Sequence, residues 1–203
     1  MLYELVCELD GVEPTDEAID ALAYGRGADE YRSCRLVEFA TVDWAEALAR
    51  HWIYDMVEGR RWSFLEGSSY QPLADAAVRA SREESYHRRH AEALIDGLLA
   101  DPTAQQRLAA AFASLMPMIG GLCASGPWEA EIVEAGIASA PTAAIVPELS
   151  RFITERFGVV LPAGFMDAPD PQTKNDRTQR SEDFAPLMAR MREVLDLDLT
   201  ATW

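Results

Sequence analysis

The sequence predicts an all-α fold, a single helical bundle over residues 1–203, and three observations predict it. Apolar residues recur at three- and four-residue spacing along most of the chain. The alternating apolar–polar runs that mark half-buried strands are almost absent. Helix-starting residues (Thr15, Asp43, Asp101-Pro102) and breakers (Asp10-Gly11, Gly25 to Gly27, Gly67) divide the periodic stretches into helix-length pieces.

Taken in order, the chain opens on an apolar stub, Leu2 to Leu9, that reads as the end of a helix and is broken at Asp10-Gly11. Thr15 caps a short helix, with Asp16 and Glu17 in the first turn where the helix dipole favours them. Asp43 caps the first long helix, which runs to about Glu66 with Trp44, Leu48, Trp52, Asp55, Gly59 and Trp62 as its stripe. The Gly67-Ser68-Ser69 turn leads to a second long helix from Pro72 to Leu99, and so short a turn makes the two antiparallel neighbours. Asp101-Pro102 starts a third helix with Leu108, Phe112, Leu115 and Ile119 on one face, and Pro117 is expected to kink or shorten it. Ser125-Gly126-Pro127 begins a segment to Ile137, and Thr142 caps a helix striped by Ile145, Leu149, Phe152 and Ile153. From Val159 to Glu182 periodicity is lost among Pro, Gly and polar residues, so 159–182 reads as an extended arm that packs on a partner or moves. Asp183 is the expected cap of a last helix carrying Phe184, Leu187, Met188, Met191 and Leu195.

Lys and Arg number 18 against 34 Asp and Glu, a formal charge of −16. Nucleic acid and anionic membrane surfaces both need a positive footprint, so neither is an expected partner. Arg60/Arg61 and Arg88/Arg89 read as solvated helix backs, or else as pieces of a local basic pocket. The three cysteines, Cys7, Cys34 and Cys123, lack metal-type spacing and read as free thiols. With no apolar run near membrane-spanning length and no leader-like segment, the expected location is the cytoplasm.

The chemistry-bearing signal lies in the second long helix. Leu73, Ala77, Ala80, Glu84, His87, Ala91, Leu94 and Leu98 share one face, which is expected to be buried. A carboxylate and an imidazole three residues apart on such a face are one piece of the ligand set of a di-iron carboxylate bundle. Asp55 on the first long helix faces the same region, with His51 one turn before it. The other half of a two-iron set is missing. Residues 103–123 contain no Asp or Glu, there is no second Glu-x-x-His, and Glu129, Glu131 and Glu134 read as helix-start and surface charges. Ligand counting therefore favours a hydrogen-bonded polar cluster of Asp55, Glu84 and His87 without metal. Glu83 competes with Glu84 as the partner of His87, because it can share the inward edge with His90. There is no glycine-rich phosphate loop and no nucleophile elbow.

The stretch Ala49-Arg50-His51-Trp52-Ile53-Tyr54-Asp55, followed by Arg82-Glu83-Glu84-Ser85-Tyr86-His87, resembles the C subunits of the bacterial phenylacetyl-CoA ring 1,2-epoxidase, a multicomponent monooxygenase. The run Ser181-Glu182-Asp183-Phe184-Ala185-Pro186-Leu187-Met188-Ala189-Arg190-Met191 and the terminal Trp203 carry the same resemblance. It implies a ferritin-like helical bundle and a non-catalytic structural subunit with no cofactor of its own. The implied partner is a catalytic subunit that holds the di-iron centre and epoxidises the ring of phenylacetyl-CoA, with electrons delivered from NADPH by other subunits. Any contact of this chain with the acyl-CoA would be indirect. Asp55, Glu83 and His87 take the family's ligand positions as remnants of a metal site, with no metal and no catalytic residue implied here. Two departures stand out: the family's helical region ahead of Leu2 is lacking, and Arg177-Thr178-Gln179-Arg180 replaces a basic lead, containing glycine and histidine, into the tail motif. An autonomous ferritin-like di-iron oxidase and a helical interaction module unrelated to aromatic catabolism are the alternatives.

Overall fold

The computed structural model describes residues 2–161, 177 and 179–197, with Leu195 described by its backbone alone. Among them every regular element is helical: α1 (Leu2–Leu9), α2 (Asp16–Tyr24), α3 (Arg35–Glu38), α4 (Trp44–Leu65), α5 (Gln71–Leu99), α6 (Pro102–Cys123), α7 (Glu129–Glu134), α8 (Val146–Phe157) and α9 (Phe184–Leu197). A 3-10 turn, Thr142–Ile145, leads into α8. The all-α expectation holds, and the arrangement is consistent with a ferritin-like bundle. No helix among the described residues is long and apolar enough to cross a membrane. Most of the 159–182 arm, residues 162–176 and 178, lies outside the described residues, as does Trp203.

Local chemistry sets the helix starts. The Thr15 hydroxyl accepts from the Ala18 N–H, the Asp43 carboxylate from Glu46, and the Asp101 carboxylate from both Thr103 and Ala104. The short connection after Leu65 turns the chain back, so α4 and α5 pack as antiparallel neighbours, with α6 laid on α4. The core lies where α4, α6 and α8 converge. Trp52 meets Phe112 and Phe157 edge-on at centroid distances of 5.5 and 5.4 Å, and Phe112 stacks on Phe157 at 3.8 Å. Leu108, Leu115, Ile119, Leu149 and Ile153 close around them, all buried. Each such side chain contributes roughly 1.5–3 kcal/mol through its removal from water. Gly158, at φ +67, ends α8 in the left-handed conformation that a helix C-terminus favours and a side chain strains.

Several expectations are corrected. The α5 stripe is buried at Ala77, Ala80 and Ala91, but Leu94 and His87 stand open, because α4 covers one side of the helix and, among the described residues, little covers its middle turns on the other. Trp44, the first residue of α4, is exposed because it projects beyond the core layer. Pro117 does not shorten α6; it sits on the exposed side, as does Ala113, whose carbonyl loses its helical partner there. The 125–137 segment yields only the six-residue α7. Thr142 does not cap a helix with its side chain, which donates instead to Glu129 Oε1 at 2.6 Å, so Glu129 is no surface charge. The expected Asp183 cap does stand directly before α9, its carbonyl accepting from the Leu187 N–H at 3.0 Å, while its carboxylate accepts from the Ala40 N–H at 3.4 Å and so ties α9 back to the loop after α3.

Candidate functional site

Asp55 on α4 and Glu84 on α5 meet between the two helices. At this level α4 carries Gly59, and a Cβ there would meet the Glu84 Cβ at 3.9 Å, an ordinary van der Waals contact. Ligand-type atoms of Asp55, Glu84 and His87 all lie within 4.8 Å of one another, the only such group of three among the described residues. The group is layered by depth. Asp55 lies at the bottom with its side chain 2% exposed, Glu84 above it, and the imidazoles of His51 and His87 half open to solvent. His87 Nδ1 is 3.7 Å from Glu84 Oε1, and the His51 and His87 rings are 6.3 Å apart. His51 Nε2 approaches Asp55 Oδ2 to 3.2 Å, but outside hydrogen-bonding geometry. The structure thus resolves the choice between neighbouring carboxylates: Glu84 partners His87, whereas Glu83 points outward and is exposed, as is His90.

Charge is held here at a cost. Burial, reinforced by the Glu84 carboxylate and opposed by His87, pushes the Asp55 carboxyl up to about 7. Burial also raises Glu84, against the pull of His87, and lowers His51, which feels His87, His90 and Arg50 as well. Asp55 Oδ2 and Glu84 Oε2 are buried without a donor. The cluster therefore does not satisfy itself fully, a departure from the expected closed hydrogen-bonded set.

Two carboxylates and an imidazole are donors of the type a divalent cation takes. Two irons need a matching set from the facing helices, roughly four carboxylates and two histidines in all. The buried face of α6 offers Leu108, Phe112, Leu115, Met116 and Ile119 instead. Among the described residues, the donors present do not fit a di-iron group.

Sequence reasoning missed a second charged centre. Glu38, 2% exposed, accepts from Arg180 Nη1 at 2.7 Å and from the Ser181 N–H at 2.7 Å, and also bonds the Ser33 hydroxyl. It anchors the start of the tail motif on α3. The available signal was a lone glutamate inside the apolar run Leu36-Val37-Glu38-Phe39. Arg61 also departs from a solvated role: its guanidinium bonds Glu58 and the Leu122 carbonyl, while Arg60 pairs with Glu148 at the surface.

A family model for phenylacetic acid catabolic proteins matches residues 1–203. The chain belongs to this family. Membership agrees with the resemblance read from the His51–Asp55 and Glu83–His87 segments, at the level of the family; it does not distinguish one subunit type from another. No curated protein matches the chain. Family membership gives this phenylacetic acid catabolic protein a role in phenylacetic acid breakdown.

Proposed function

We propose that this family member is a non-catalytic, structural subunit of a phenylacetyl-CoA 1,2-epoxidase complex, and that a separate subunit holds the di-iron centre. The observation that carries the reading is the half-complete ligand set: Asp55, Glu84 and His87 gather on α4 and α5, and α6 opposes them with apolar side chains alone. A chain that keeps the bundle but not the ligands supplies surface rather than chemistry. The open side of α4 and α5, where Tyr54, Tyr86 and Leu94 are exposed beside His87, is the face offered to the catalytic partner. Obligate interfaces of this kind bury upwards of about 2,000 Å². The complex works in the cytoplasm, and contact of this chain with the acyl-CoA is indirect, through the partner.

Two measurements test this. Anaerobic loading of the purified chain with ferrous ion is expected to leave it far short of two irons; near two per chain would make it an oxidase in its own right. Turnover by the di-iron partner is expected to rise when this chain is added, and equal turnover with and without it would end the structural reading.

A further inference from the structure

Two irons need more donors than this bundle brings together, but one cation needs only about four, and the facing turns of α4 and α5 carry four. His51 and Asp55 stand one turn apart on α4, and Glu84 and His87 stand one turn apart on α5. Ligand-type atoms of Asp55, Glu84 and His87 lie within 4.8 Å of one another. His51 Nε2 is 3.2 Å from Asp55 Oδ2 yet forms no hydrogen bond with it. Two donors that each stand about 2.1 Å from a shared cation are held roughly 3.0–3.5 Å apart, which is the separation of that pair.

The charges point the same way. Asp55, 2% exposed, and Glu84 each bury one oxygen that accepts no hydrogen bond, Oδ2 and Oε2. Two acids drawn out of water side by side are costly unless positive charge lies between them. Among the described residues no arginine or lysine supplies it, since the ion pairs of both acids run to His51 and His87 alone. Arg50, next to His51 in the chain, turns away and donates from Nη1 to the Phe39 carbonyl at 2.6 Å. The two imidazoles are the half-open outer members, and His51 also lines a surface cleft with Val37, Arg50 and Tyr54, so an ion reaches the acids from solvent past the histidines.

We propose that His51, Asp55, Glu84 and His87 hold a single divalent cation of the zinc class, which clamps α4 to α5. Two imidazoles with two carboxylates suit such an ion better than magnesium or calcium, which favour all-oxygen sets. The buried face of α6 offers no carboxylate or imidazole for a second ion. The metal-free cluster expected from ligand counting was counted toward two irons, and the same donors suffice for one. In the chain without the ion, a proton takes its place on Asp55. The site goes beyond the structural role proposed above and requires no partner subunit.

Zinc is the probe. The full-length chain is stripped with a chelator, loaded with zinc chloride, dialysed and analysed for metal. About one zinc per chain is expected, and at a roughly hundredfold excess over Kd a melting temperature at least about 5 °C above that of the stripped chain. His87→Gln and His51→Gln replace half-open side chains, so both variants are expected to fold, to bind zinc at least about tenfold more weakly and to lose most of the melting-temperature gain. His90→Gln, exposed on the same helix and outside the group, is expected to bind as the wild type does. No retained zinc, or zinc held equally by His87→Gln and His51→Gln, would overturn the site and leave the structural-subunit reading standing. Near two ions per chain would overturn both.

Discussion

Asp55, lifted to about 7 by burial and by Glu84 against the pull of His87, sets how the fold responds to pH. An unfolded aspartate titrates near 3.8, so between these values the folded chain holds a proton that the unfolded chain has lost. The stabilisation is complete below the unfolded value and is lost as pH rises through the folded one. Glu84, also raised, adds the same sign, and His51, lowered by burial, opposes it by costing stability on the acid side. Asp55→Asn keeps the shape and removes the buried ionisation. The wild-type melting temperature is expected to fall between about pH 4 and pH 7, and the variant's curve to flatten, which calorimetry across that range would show. An equal or steeper fall in the variant would contradict the assignment. The meeting of Asp55, Glu84 and His87 was legible because helical spacing alone puts them on facing stripes. The choice between Glu83 and Glu84 was not, since one residue is about a 100° rotation and only the neighbouring helix fixes which side is inward.

At the scale of elements, capping was readable and tertiary pairing was not. Asp43, Thr15 and Asp101 bond amides two or three residues away, so their chemistry is complete within a few residues of sequence. Thr142 looked like a cap by the same rule, yet its hydroxyl goes to Glu129, thirteen residues back. Pro117 was expected to kink or shorten its helix, but α6 runs on to Cys123, and the backbone around Pro117 lies on an exposed side, where water can replace the lost helix bond. Glu38 is the largest omission, because its partners Arg180 and Ser181 lie at the far end of the chain. Truncating one partner of a buried ion pair leaves the other uncompensated, a loss of about 3–5 kcal/mol. Glu38→Ala is expected to lower stability by that order in denaturant titration and to raise amide exchange across α9 before the core helices. Exchange unchanged in Phe184–Leu197 would mean that α9 is held by other contacts.

Across the whole molecule, periodicity announced an all-helical bundle but not what lies against each helix. The α5 stripe reads as one continuous inward face, whereas the structure buries its alanines and leaves Leu94 and His87 open. In the proposed complex, a partner subunit would cover the open part of this stripe as an intramolecular helix does elsewhere. Tyr86, 65% exposed beside His87, is the residue most suited to test this. Tyr86→Asp is expected to leave the melting temperature within about 1 °C, since an exposed side chain holds little of the fold together. It is expected to abolish co-purification with the proposed di-iron partner, and retention of the proposed complex would move the interface elsewhere. The Glu38–Arg180 latch has one more consequence, for the order of assembly. It spans 142 positions, whereas α4, α5 and α6 are consecutive helices joined by short turns. Loop-closure entropy favours the local hairpins, so the helical core condenses first and α9 docks afterwards. Contacts made after the folding barrier slow unfolding without speeding folding. The latch therefore governs how long the folded chain survives once formed, and with it how long the C-terminal helix stays out of reach of a protease.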